Sequence, residues 1–112
     1  MTNDTNTTKD DELLTLWDEW KVSLEAELAA TDDAESDRRH KRVSRLHEAI
    51  RATPARDLEG VAIKLALALW YYGDDVDDII TEQLRAAYVD ASRITGRDYL
   101  AEINAILEQW AA

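Results

Sequence analysis

At 112 residues the chain is sized for one domain and is long enough to bury a core without cross-links. It contains no cysteine, which excludes a disulfide framework, a thiolate metal site and a cysteine nucleophile. A formal net charge of -11 disfavours direct binding to nucleic acid or to an anionic membrane and favours a basic protein partner.

The charge is unevenly distributed. Residues 1–37 carry twelve acids against two bases, residues 38–56 seven bases against one acid, and residues 57–112 eleven acids against four bases. Four Trp and four Tyr with no Phe give every aromatic ring a polar handle, which suits the edge of a core or an interface.

The opening MTNDTNTTKDDE is polar and acidic, without the basic start and apolar middle of a signal peptide, so a cytoplasmic location is expected. Residues 1–9 show no apolar periodicity and read as a disordered tail ahead of one helical domain over residues 10–112. No apolar run approaches the roughly 18 residues that a membrane span requires. The periodicity predicts an all-α fold, a compact bundle of four to five helices at about 10–30, 35–52, 57–72, 75–95 and 98–110.

The first helix opens on Asp10, Asp11 and Glu12, whose charge opposes the positive end of the helix dipole. Leu13, Leu16, Trp17, Trp20, Leu24 and Leu28 recur at spacings of three and four and form one stripe. Trp17 and Trp20 are adjacent on that stripe. Core packing is the plain reading, and a pair of partner-binding anchors is the sharper one. The turn cluster Thr31 to Ser36 leads into a second helix with a thin apolar stripe of Val43, Leu46, Ala49 and Ile50. Its remaining surface carries Arg38, Arg39, Lys41, Arg42, Arg45 and Arg51, with His40 and His47. The short connection makes this helix the antiparallel neighbour of an acidic one, so the basic residues are expected to find partners within the hairpin. The two histidines are seven residues apart with cations between them, which does not suit a zinc site.

Thr53-Pro54 breaks the second helix, and Asp57 is a suitable N-cap for a third. Val61, Leu65, Ala68, Leu69 and Tyr72 lie on one side of this third helix, with Ile63, Leu67 and Trp70 opposite. A helix apolar on most of its circumference belongs at the centre of a bundle. Gly73 fits its C-terminal cap, and Asp74, Asp75, Asp77 and Asp78 follow directly. The fourth helix has the stripe Val76, Ile79, Ile80, Leu84, Ala87, Tyr88, Ala91 and Ile94 and stops at Gly96. Asp98 caps a fifth helix with Tyr99, Leu100, Ile103, Ile106, Leu107 and Trp110 inward.

Asp74 to Asp78 contains the DDxxD pattern with which prenyl-diphosphate enzymes hold magnesium, but the second metal-binding motif of those enzymes is missing. Paired acidic motifs of the helical nucleotide pyrophosphohydrolases are missing too. The plain reading is an acidic helix start that complements the dipole. The excess of carboxylates, extended by Glu82, also suits a docking surface for a partner's Arg or Lys. No nucleophile context or phosphate-cradling glycine loop occurs, so no catalytic residue, metal or cofactor is expected.

The segments ATPARDLEGVAIKLALAL (Ala52 to Leu69) and LLTLWDEW (Leu13 to Trp20) resemble a group of short, uncharacterised helical bacterial proteins often carried near prophage or other mobile-element genes. That resemblance implies no activity. It implies an accessory or anti-defence role. The expectation is therefore a non-enzymatic protein-interaction protein that forms a homodimer, with Trp17, Trp20, Asp74, Asp75, Asp77, Asp78 and Glu82 as partner-binding candidates. The alternatives are an acidic inhibitor of a basic or nucleic-acid-binding protein, of the anti-CRISPR or DNA-mimic type, and a magnesium-dependent phosphohydrolase centred on Asp74, Asp75 and Asp78.

Overall fold

A computed structural model describes residues 11–72 and 78–111, and these form an all-α bundle. Among the described residues there are five helices: α1 (Asp11–Ala29), α2 (Asp33–Ala52), α3 (Leu58–Tyr72), α4 (Asp78–Thr95) and α5 (Tyr99–Ala111). No helix among the described residues is long and apolar enough to cross a membrane. The predicted tail, the Gly73 cap and a start of the fourth helix near residue 75 lie outside the described residues.

Local chemistry sets the helix ends. Asp32 Oδ1 accepts the Glu35 N–H at 2.8 Å, so α2 begins two residues before the predicted start. Asp57 caps α3 in the same way through Gly60 N–H at 3.2 Å, and Asp98 caps α5 through Ala101 N–H at 3.1 Å. The chain leaves α2 at Thr53, whose N–H and hydroxyl both donate to the Ala49 carbonyl. It leaves α4 at Gly96, with φ +75 and its N–H on the Ser92 carbonyl. That left-handed conformation is easy for glycine and strained for other residues.

α1 and α2 form the antiparallel hairpin. His40 Nδ1 lies 3.1 Å from Glu27, and Arg42 Nε donates to Ser23 Oγ at 3.1 Å. α3 is the hub, packed against α1, α2, α4 and α5. Its inner face is Gly60, Ala62, Ile63, Ala66, Leu67 and Leu69. The alanines let neighbouring backbones close in, and the larger residues fill the space between them.

An aromatic chain ties the bundle together. Trp17 stacks on Trp20 with ring centroids 5.5 Å apart. Tyr99 of α5 meets Trp17 edge-on at 5.3 Å, and Trp70 of α3 meets Trp20 edge-on at 5.4 Å. The chain continues through Tyr71 to His47 of α2, which stack at 4.2 Å. Edge-to-face and stacked pairs each add about 0.5–1.5 kcal/mol to the burial of the rings. Burial lowers the His47 pKa, and nearby Arg51 lowers it further against the opposing effect of Glu48.

Candidate functional site

Trp17 and Trp20 are not presented to a partner. Each is 0 % exposed at the centre of the core, which corrects the reading of them as interface anchors. Their spacing defined the stripe of α1, but only packing against α3 and α5 decided that the stripe is closed. Trp110 is the tryptophan left substantially exposed, at 44 %. Asp74, Asp75 and Asp77 lie outside the described residues. Asp78 is the first residue of α4, and Glu82 stands exposed one turn further along. Among the described residues there is no group of three or more His, Asp or Glu side chains that could hold a metal ion.

The densest polar arrangement was not recognisable as a site from the sequence. Glu102 of α5 accepts hydrogen bonds from Trp17 Nε1 at 3.0 Å, Lys21 Nζ at 2.6 Å, and Arg97 Nε and Nη2 at 2.6 and 3.0 Å. Burial pushes its carboxyl up, but the donors on Arg97, Lys21 and Trp17 outweigh that and hold it at about 2. Arg97 also lies over the Tyr99 ring at 4.6 Å. The Tyr99 hydroxyl donates to Glu59 of α3, and burial together with that acceptor raises the phenol's pKa. The network joins α1, α3 and α5. A groove of about 460 Å³ passes beside it between α1 and α5, yet the Glu102 oxygens in its wall already have donors. The arrangement fixes how helices meet and offers no activated acid or base.

Tyr88 makes the matching lock between α4 and α5. Its hydroxyl donates to Asp98 at 2.7 Å and accepts the Leu100 N–H at 2.8 Å. Burial, reinforced by Asp98, pushes its pKa up to about 12.

The basic face of α2 is only partly neutralised by the hairpin. His40 reaches Glu27 of α1, whereas Arg39 and Arg51 pair with Glu35 and Glu48 of their own helix. Arg38, Lys41, Arg42 and Arg45 form a contiguous exposed patch at spacings of three and four. The groove between α1 and α2 beside Arg39 and Arg42 is about 280 Å³, with Val22 and Ala26 among its walls.

α4 carries the largest surplus of exposed apolar surface. Tyr88, Ala91 and part of Leu84 face the core, but Ile80 is 53 % exposed and Ile94 67 % exposed, with Ala87 exposed between them. At 3.6 residues per turn these three align in a row beside the buried face. The predicted stripe of α4 was therefore too wide for its one main packing partner, α3. Of its seven described members, Tyr88 and Ala91 became core, Leu84 is part-buried, and Ile79, Ile80, Ala87 and Ile94 became surface. No family model, curated protein or solved structure matches the chain.

Proposed function

We propose that this chain is a non-enzymatic protein-interaction domain whose binding surface is the exposed side of α4. The observation that carries the proposal is the aligned row Ile80, Ala87 and Ile94 on a helix whose adjacent face is packed into the core. Fully burying an aliphatic side chain of this size contributes about 1.5–3 kcal/mol, so two isoleucines more than half exposed represent substantial unused binding energy. A row of this kind on a helix is how groove-binding and helix-pairing partners are read. The polar networks support the same reading, since the donors around Glu102 and Tyr88 are engaged in holding helices together.

The test is affinity capture with the wild-type chain and with the Ile80→Lys/Ile94→Lys double variant, both shown to be helical by circular dichroism. A protein retained by the wild type, whether another species or the same chain, should be lost from the variant. Equal retention by both would refute the assignment of the surface.

A further inference from the structure

We infer that the groove between α1 and α2 is a second docking site, and that its occupant is an acidic amphipathic helix of another protein, seated with its carboxylates on the cations of α2. The site lies on a different helix pair from the α4 row and stands or falls independently of it.

The first argument is a surplus of positive charge. Arg38, Lys41, Arg42 and Arg45 are all exposed and fall within about 100° of arc on α2. Among the described residues no carboxylate is paired with Arg38, Lys41 or Arg45. The acids that flank the stripe, Glu35 and Glu48, are engaged by Arg39 and Arg51, and Glu27 of α1 is engaged by His40. Like charges at spacings of three and four repel along a helix, and an anionic partner relieves that repulsion. Arg42 is also held in place. Its Nε donates to Ser23 Oγ at 3.1 Å, and Ser23 is buried. Its two Nη groups have no acceptor among the described residues. A guanidinium fixed through Nε is ready to hold a carboxylate at two points.

The second argument is spacing and shape. Arg38, Arg42 and Arg45 follow at steps of four and three and rise roughly 10 Å in all. Carboxylates at the same steps on a helix laid alongside keep pace with them. An extended peptide, whose like-facing residues lie roughly 6.6 Å apart, falls out of step. Val22, 66 % exposed, and Ala26 give the groove an apolar floor for the aliphatic side of such a helix. Asp18 and Glu19 on the other wall confine the partner's acids to the α2 edge. They also disfavour a nucleic-acid strand, whose phosphates would continue past the stripe onto a chain of net charge -11, and no aromatic side chain lines the groove for bases to stack on. No helix among the described residues carries three acids at successive steps of three or four, so a second copy does not supply the complement.

The test is titration of the full chain with a fluorescent helical peptide of about 15 residues, built on Leu and Ala with glutamates along one edge at steps of three and four. Anisotropy should report saturable binding at submillimolar concentration, weakened at least about tenfold when glutamine replaces the glutamates or when salt rises from about 0.05 to about 0.5 M. Arg38→Glu/Arg45→Glu should weaken binding at least about tenfold, whereas Arg51→Glu/Arg93→Glu, with the same change in net charge, should alter it less than about twofold. Val22→Asp should weaken it about threefold or more by removing the apolar floor. All these side chains are exposed, and circular dichroism checks that each variant remains helical. Ile80→Lys/Ile94→Lys should bind the peptide as the wild type does. Loss of binding in that variant, equal loss in both arginine double variants, or no saturable binding at all overturns the inference. So does tighter binding of a single-stranded oligonucleotide through the same arginines. A mass that rises toward two chains by light scattering, and no longer does so in Arg38→Glu/Arg45→Glu, would make a second copy the occupant and overturn it as well.

Discussion

Replacing Glu102 by Gln tests whether the α1–α3–α5 junction is held electrostatically. The carboxylate receives four hydrogen bonds, one from Trp17, one from Lys21 and two from Arg97. Glutamine keeps the shape, but it removes the charge and turns an NH2 group toward one of those donors. Hydrogen bonds to a charged group are worth about 1.5–3 kcal/mol each when buried. Here Lys21, Arg97 and Glu102 are all partly open to solvent, which screens the gain, so a net loss of about 2 kcal/mol is the expectation. In a domain of this size that corresponds to a fall in Tm of about 10 °C. The pH dependence is the sharper assay. The folded carboxyl sits at about 2 against an ordinary value of 4.5, so its stabilisation is fully present above about 4.5 and is lost as pH falls toward 2. Urea midpoints should therefore differ most between wild type and Glu102→Gln at neutral pH, and the gap should shrink to roughly half or less by pH 3. A gap that stays constant with pH, or a fall in Tm under about 2 °C at pH 7, would refute the assignment.

Other positions give equally direct outcomes. Trp20→Ala empties a fully buried site stacked on Trp17 and edge-on to Trp70, and should cost about 3–5 kcal/mol, read as loss of cooperative unfolding or a large drop in Tm. Asp32→Ala removes the acceptor for the Glu35 N–H and should cost about 1 kcal/mol by urea denaturation, with Asp32→Asn losing much less. Gly96→Ala meets no atom within 4 Å, so its cost, about 1 kcal/mol, comes from the backbone at φ +75 alone, and Gly96→Asn should be milder.

Particular elements show why the sequence was informative in some places and silent in others. Asp57, Gly96 and Asp98 could be assigned their roles from the sequence because capping joins residues three or four apart. The acidic character of α1 and the basic character of α2 were equally plain, but the expected pairing between them was not realised in full. Among the described residues, only His40 of the basic α2 side chains reaches an acid of α1, since Arg39 and Arg51 find nearer carboxylates on their own helix.

By itself, then, the amino-acid sequence determined five helices, most of their ends and the candidate core stripes, because helix periodicity and capping are short-range. Tertiary structure alone decided which candidates became interior. It closed Trp17 and Trp20 inside the bundle and opened Ile79, Ile80, Ala87 and Ile94 of the α4 stripe to solvent, because α3 covers only one side of that helix. It also assembled Glu102 with Trp17 and Lys21 across 85 and 81 residues of chain, a meeting that no local rule encodes. The surface proposed to carry the function is therefore the remainder of a packing problem, namely apolar side chains of the α4 stripe that the other described helices leave uncovered.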